Sequence, residues 1–350
     1  MANLCGLTLA AVATGDMPPR PAGATSAGGF VSRANTPPRK VVVASALADF
    51  SGSTEARLNL AARLIDDAAR QTAQLYPGQR LDLVILPEFA IRRESGATAA
   101  DQAVPLAGPV LEALGAKARE YQTWIVAPMT LREPGAEVRI SNAAVLLDRA
   151  GEVAGIFRKV HPIVDDHGVF EDGVTPGDDY PVFNCDFGRL GILICWDMAY
   201  EDAWDTLAAR GAELVALPSA SPQTLRPLAE ALRHHYYVVN SAPRDNASVF
   251  DPIGRTAAQT TRSGVLVHQI DLAYAILHWS ETLHEGRALT ERFGQDVGYT
   301  YSQREDTGVF WSNDPRRSIG AMIRELGLRE MPEVMEQVQT AREHFRPAAK

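Results

Sequence analysis

The stretch Gly188-Arg-Leu-Gly-Ile-Leu-Ile-Cys-Trp-Asp-Met-Ala-Tyr-Glu201 decides how the chain is read. Leu190 to Ile194 is a short aliphatic run of the kind that forms a strand buried on both faces. The run stops at Cys195, and Asp197, Glu201 and Asp202 follow at once. A thiol at the end of a buried strand, ahead of a turn and a helix start, is placed to act as a nucleophile. Backbone N–H groups lie close by, and the positive end of a helix favours a thiolate. The competing reading is a buried structural cysteine, because free cysteine is among the most buried residue types.

Two other apolar runs upstream end in the same way. Leu81 to Leu86 leads into Pro87-Glu88-Phe89, and Glu152 to Phe157 leads into Arg158-Lys159. Sites in open α/β sheets gather at strand carboxyl ends. There a carboxylate can take the thiol proton, a thiolate can attack a carbonyl carbon, and an ammonium can hold the developing oxyanion. Taken singly, Glu88 and Lys159 read as solvated strand-end charges. Together with Cys195 they form a candidate catalytic set.

The rest of the chain supplies a frame for such a set. Lys40 to Leu47 reads as a first strand. Ser53 and Thr54 can cap a helix that carries Leu58, Ala61, Leu64, Ile65, Ala68 and Leu75 on one face. Pro109 to Tyr121 reads as a helix with Leu111, Leu114 and Ala118 inward, and Trp124 to Ala127 as a strand. Asn142 to Leu147 and Glu152 to Phe157 flank a hairpin signal at Asp148-Arg-Ala-Gly151. Beyond Cys195, helices (about Glu201 to Arg210 and Leu225 to His234) alternate with strands (Leu214 to Leu217 and Tyr237 to Ser241). Gly264 to Ile270 is the last clear strand. This alternation, with hairpins, predicts an α/β domain with a mixed sheet.

Three segments are expected: an N-terminal extension over 1–38, rich in Gly, Pro, Ala, Ser and Thr and poorly ordered or packed on another surface; a single domain over 39–273; and a C-terminal extension over 274–350. The last shows no evident strand set of its own, and is expected to wrap the domain or a neighbouring subunit. Trp279, Leu283 and the apolar face of Met331 to Arg342 make a homo-oligomer the expected assembly.

Composition excludes several function classes. The chain has 350 residues, 46% of them hydrophobic, and a net charge of −9 without a long basic stripe. That argues against a nucleic-acid partner. No run approaches the roughly 20 apolar residues of a membrane span, so no membrane partner is expected. Cys5, Cys185 and Cys195 show no metal-ligand spacing. A sparse, odd set suits a reducing compartment, and a cytoplasmic location is expected. Ala11-Val-Ala13 resembles a cleavage site, but no Lys or Arg precedes it, which makes a secretory signal the weaker reading.

With LPEFA around Glu88, FRKVHP around Lys159 and GILICWDMAYED around Cys195 in this order, the sequence resembles the nitrilase superfamily of carbon–nitrogen hydrolases. TPGDDYPVF (Thr175 to Phe183), ARGAELVALPSA (Ala209 to Ala220) and the turn Asp251-Pro-Ile-Gly254 support the likeness, which covers about residues 40 to 271. It implies a four-layer α-β-β-α sandwich, assembly into dimers or larger oligomers, and a Glu88–Lys159–Cys195 triad that works without a metal or organic cofactor. Cys-Trp-Asp is more like the amidase and carbamoyl-amidase branches than the nitrilases, which usually carry Cys-Trp-Glu. A small-molecule amide or ureide is therefore the favoured substrate, with a nitrile as the alternative.

Some members use a second glutamate between the lysine and cysteine motifs. Glu171 is the candidate here, although the carbamoyl-polyamine branch would place that residue where this chain has Phe170. The segments His161 to Asp179 and Ser219 to Gln223 are expected to wall the pocket. Trp196 and Ser219 are the expected substrate-binding residues, with simple packing as the other reading of Trp196. Asp197 is expected to hold the elbow by bonding local N–H groups, and His161 and His167 to lie at the surface. A papain-like Cys–His hydrolase would leave Glu88 and Lys159 unexplained. A non-catalytic scaffold on the same fold would have no use for an intact triad.

Overall fold

Along the first strand, alternate side chains enter two different cores. Val41 and Val43 join one apolar cluster, and Val42, Ala44 and Ala46 join another. A strand covered on both faces must be apolar throughout, which is why such runs lack the usual polar alternation. The computed structural model describes residues 32–93, 98–135, 138–171 and 173–345. Its first half contains β1 (Lys40–Leu47), α1 (Thr54–Leu75), β2 (Leu83–Ile85), α2 (Ala99–Gln102), β3 (Val104–Pro105), α3 (Pro109–Tyr121), β4 (Trp124–Glu133), β5 (Arg139–Leu147) and β6 (Val153–Arg158). Next come β7 (Val182–Cys185), β8 (Gly188–Ile192), α4 (Glu201–Ala209), β9 (Leu214–Pro218), α5 (Leu225–His234), β10 (Tyr237–Ser241), β11 (Ala247–Phe250), β12 (Thr256–Thr260) and β13 (Gly264–Asp271). The remainder holds β14 (Tyr274–His278), α6 (Arg287–Phe293), β15 (Val297–Ser302), β16 (Thr307–Ser312), α7 (Ile319–Glu325) and α8 (Met331–His344).

Two mixed sheets carry the domain. One has the order β13-β1-β2-β4-β5-β6, with β3 beside β4; the other has the order β12-β11-β10-β9-β8-β7. Val41, Val43, Val126, Ala144, Leu146 and Phe157 of the first sheet meet Leu190, Ile192, Leu214 and Val238 of the second. The other face of the first sheet packs on Ala61, Leu64, Ile65 and Ala68 of α1 and on Leu111, Leu114 and Ala118 of α3. Trp204 and Leu207 of α4 and Ala231 of α5 cover the far side of the second sheet. The result is the expected α-β-β-α sandwich. The sheets approach so closely at one edge that a Cβ on Gly155 would stand 2.3 Å from the Phe183 ring. Ser241 Oγ pins them at the centre by donating to the Ala46 carbonyl at 2.7 Å.

Several elements differ from the expected ones. Leu75 ends α1 and is 57% exposed rather than on its buried face. β2 is shorter than Leu81 to Leu86, and β4 extends to Glu133. β12, Thr256–Thr260, is a polar edge strand that lacked an apolar pattern. The tail has a strand set after all: β14, β16 and β15 form a three-stranded antiparallel sheet. With α6 and α7 it encloses a core containing Leu277, Leu283, Leu289, Phe310, Ile319 and Met322. Tyr274, Ile276 and Val309 join it to the main core. Leu283 is thus an internal tail residue, while Trp279 is 49% exposed.

Residues 1–31 of the expected arm, Cys5 included, lie outside the described residues. The rest of the arm is packed: Ala34 is fully buried, Arg33 Nη1 donates to Tyr274 Oη at 2.7 Å, and Ser32 Oγ donates to Glu330 Oε1 at 2.6 Å. Among the described residues, no helix is long and apolar enough to cross a membrane.

Candidate active site

The three motif residues converge from both sheets. Glu88 follows β2 and Lys159 follows β6 in the first sheet; Cys195 follows β8 in the second. All three are buried. Lys159 extends its strand by one step, its N–H donating to the Asn142 carbonyl at 2.9 Å, while its own carbonyl accepts from Gly177 N–H at 2.8 Å. Glycine is needed there because a Cβ on Gly177 would lie 2.2 Å from the Arg158 carbonyl oxygen. The loop after Pro176 therefore clamps the backbone that presents the lysine.

Cys195 has a left-handed backbone, φ 47°, and opens a single 3₁₀ turn, Cys195–Ala199. For a residue with a Cβ this conformation is strained and persists only where neighbours enforce it. Asp197 enforces it. Its Oδ2 accepts from Ile194 N–H at 3.1 Å, and its Oδ1 accepts from Val160 N–H at 3.1 Å and His161 N–H at 2.8 Å. The expected local clamp is thus also a cross-sheet one, fixing the elbow against the segment that follows Lys159. His161 supports it rather than lying free at the surface: its ring stacks on Tyr200, and its Nδ1 is 2.9 Å from Tyr180 Oη. His167 is exposed, as expected.

Lys159 Nζ donates to Glu88 Oε1 at 2.8 Å and to Glu171 Oε1. Asn142, a residue that no motif had singled out, bridges the same two carboxylates. Its Nδ2 lies 2.9 Å from Glu88 Oε1 and 2.8 Å from Glu171 Oε2. A polar residue at the head of an apolar strand run was the one available signal for it. Ala220 N–H donates to Glu88 Oε2 at 2.9 Å, and Ile163 N–H to Glu171 Oε1 at 3.1 Å. Glu171 itself has φ 32°, a second left-handed position at the site.

Glu88, Lys159, Glu171 and Cys195 line one cavity of about 210 Å³, walled also by Ile163, Val174 and Ala220. Both expected wall segments therefore contribute. Trp196 and Ser219 do not line it. Trp196 points away and is 42% exposed, because the tight turn after Cys195 sends successive side chains in different directions. Ser219 is fully buried behind the wall, where its Oγ donates to the Ser221 carbonyl at 2.8 Å.

Burial pushes the Cys195 thiol up to about 11, and the Glu88 charge adds to the effect; Lys159, Ser219 and the Ala220 N–H oppose it without cancelling it. The expected helix-end stabilisation of a thiolate does not outweigh this burial. Burial would discharge Lys159, but Glu88 and Glu171 outweigh it and raise its pKa, so the ammonium is firmly held.

The family model for carbon-nitrogen hydrolases matches residues 42–277, more than half of the chain. The chain belongs to this family. Among relatives of this carbon–nitrogen hydrolase, the deaminated glutathione amidase of Yersinia enterocolitica is 31% identical over 161 residues, 43% of this chain and 55% of that protein. The match thus spans about half the length of that relative. Among solved structures, Nit3 of Saccharomyces cerevisiae, a member of branch 10 of the nitrilase superfamily, superposes with a TM-score of 0.55 at 21% identity. It covers 67% of this chain and 90% of Nit3. An amidase of Nesterenkonia sp. AN1, with the acetamide moiety of fluoroacetamide added covalently at its active-site cysteine, gives 0.53 at 19% identity, covering 68% of this chain and 92% of that one. These two are likenesses of fold.

Proposed function

We propose that this chain hydrolyses a non-peptide carbon–nitrogen bond, converting a carboxamide or N-carbamoyl compound and water into an acid and ammonia or an amine, through a thioester on Cys195. The observation that carries the reading is the convergence of a buried thiol, a carboxylate and an ammonium paired with it on one small cavity.

Each group has a part that its surroundings support. Glu88 takes the Cys195 proton as the sulfur adds to the carbonyl carbon. The carbonyl oxygen becomes an oxyanion, held by the Lys159 ammonium and by backbone N–H at the elbow. As the tetrahedral adduct collapses, the C–N bond breaks and the proton held by Glu88 leaves with the nitrogen. Water then attacks the thioester, Glu88 takes a proton from it, and the C–S bond breaks to return the thiol. Glu171 and Asn142 act through others: Glu171 orients and charges Lys159, and Asn142 holds the two carboxylates at a fixed spacing. The cysteine adduct reported for the Nesterenkonia amidase is the analogy for the thioester. The preference for amide over nitrile substrates rests on the resemblance of Cys-Trp-Asp to the amidase and carbamoyl-amidase branches; Asp197 itself spans three N–H groups at the elbow. Cys185 and Cys195 are both free thiols, which suits the cytoplasmic setting included in this proposal.

An ammonia-release screen over carboxamides, N-carbamoyl compounds and nitriles, with Cys195→Ala as control, tests the reading. Release from the first or second class, absent in the variant, is expected. Release only from nitriles would move the substrate class, and release by Cys195→Ala would remove the mechanism.

A further inference from the structure

Phe89, the residue after the proposed base, lines the cavity with a left-handed backbone, φ 55°. Cys195 and Glu171 share that conformation. Phe89 is the third residue of the turn Pro87–Ala90, closed by Ala90 N–H donating to the Pro87 carbonyl at 3.1 Å. A positive φ at that place ordinarily belongs to Gly or Asn. A phenylalanine there is strained, and persists only where its surroundings enforce it. At Phe89 the enforcement comes from the start of α1. Arg57, on its first turn, is 6% exposed. A buried guanidinium is costly unless acceptors receive its N–H groups. Its Nη1 donates to the Phe89 carbonyl at 3.2 Å, and its Nε to the Gly52 carbonyl at 3.0 Å. Thr54 Oγ1 adds a second tie by donating to the Arg92 carbonyl at 3.3 Å, and the Arg92 guanidinium lies 5.5 Å over the Phe89 ring. Phe89 is thus held through both its carbonyl and its ring.

We infer that Arg57 is a positioning residue: by holding the Phe89 carbonyl it keeps the turn in its left-handed form, and so keeps the Glu88 carboxylate aimed at Cys195. The inference rests on the reading of Glu88 as the base. Glu88 and Phe89 share a peptide, so a turn relaxing out of the left-handed region would rotate that peptide and swing the carboxylate with it. Lys159, Asn142 and Ala220 N–H fix the carboxylate itself. Arg57 fixes the backbone that carries it, as Asp197 does for Cys195. Arg57 acts from behind the turn, since the lining of the cavity is made by Glu88 and Phe89 rather than by Arg57.

Arg57→Met, Phe89→Gly and the double variant form a cycle that separates positioning from support of the fold. Glycine enters the left-handed region freely, so in the Phe89→Gly background Arg57 has nothing left to enforce. Two properties are read. One is kcat and KM on a carboxamide or N-carbamoyl compound that the intact protein hydrolyses. The other is the pH midpoint of Cys195 alkylation by iodoacetamide, which needs no substrate and responds to the Glu88 charge. Arg57→Met is expected to lower kcat by about tenfold to a hundredfold, the scale of a misplaced group, with KM changed by less than about threefold. The midpoint should move down as the carboxylate leaves the sulfur. In the Phe89→Gly background, Arg57→Met should cost less than about twofold in kcat and leave the midpoint where Phe89→Gly alone puts it. Arg57→Lys keeps the charge without the planar fork and should fall between. It takes the place of Arg57→Met if that variant does not fold by circular dichroism, and the midpoint decides the cycle if Phe89→Gly is inactive. An unchanged kcat and midpoint in Arg57→Met, or equal losses in both backgrounds, overturn the inference and leave Arg57 a support of the fold. The hydrolase reading fails separately. An Arg57-dependent midpoint without turnover of any amide or N-carbamoyl compound would remove that reading and keep the hold on Glu88, whereas turnover indifferent to Arg57 would do the reverse.

Discussion

Replacing Glu88 by Gln should move two properties of Cys195 in opposite directions. The thiol stands at about 11, raised from 9.0 by burial first and by the Glu88 charge second. At pH 7 this leaves a thiolate fraction on the order of one in ten thousand, so unaided ionisation costs about 5 kcal/mol. Glu88 removes that cost only by accepting the proton as the sulfur attacks. Glu88→Gln deletes the base, and turnover should fall by about a hundredfold to ten-thousandfold. The same change deletes a negative charge beside the sulfur, so the pH midpoint of Cys195 alkylation by iodoacetamide should move down. Its three neighbours, Lys159, Asn142 and Ala220 N–H, all donate to Glu88. A Gln amide must turn its NH₂ against one of them, which should destabilise the fold by about 1–3 kcal/mol without abolishing it. The assays are ammonia release, alkylation across pH followed by peptide mass, and thermal melting. Alkylation and turnover falling together, or turnover surviving, would refute the assignment of Glu88 as the base.

Glu171→Gln should also lower turnover by roughly a hundredfold, the scale for disturbing an oxyanion partner, while Cys195 still reacts with a small electrophile; near-normal turnover would make Glu171 a packing residue. Burial raises Asp251 from 3.8 to about 6. Between those values the unfolded chain ionises first and binds fewer protons than the folded one, so stability falls as pH rises through the window, by about 3 kcal/mol. Asp251→Asn keeps the Oδ1 acceptor for Ile253 and Arg255 N–H and should lose that slope; parallel urea-unfolding results for the two proteins at pH 4 and 7 would contradict this. Met335 and Val338 on α8 are each 62% exposed, so the protein is expected to self-associate there. Light scattering on the full chain and on a Met335→Glu/Val338→Glu variant checks it, and a monomer in both rejects it.

The candidate triad was legible because each of Glu88, Lys159 and Cys195 closes an aliphatic run, and such runs announce buried strands. What the runs could not show is that two of these residues come from one sheet and the third from another. Asp197 illustrates the gap. Its neighbours in sequence suggested a local clamp, whereas two of its three N–H partners belong to residues 160 and 161. Asn142 was hidden for the same reason, since its significance lies wholly in where two distant carboxylates arrive. The hold of Arg57 on the Phe89 carbonyl likewise joins two separate segments. The tail sheet escaped notice because glycines interrupt its pattern. Gly298 sits opposite Trp311, where a Cβ would lie 2.2 Å from the indole nitrogen, so that strand pairing depends on a residue that ordinarily weakens strands.

The central claim is a covalent acyl link to Cys195. Rapid quenching of the protein with a hydrolysed carboxamide, followed by peptide mass spectrometry, measures it directly. The expected result is a mass gain on the Cys195 peptide equal to the acyl group without its ammonia, absent in Cys195→Ala and cleaved by hydroxylamine. Turnover with no such adduct under quenching fast enough to catch the first cycle, or an adduct on Cys185 instead, would contradict the account.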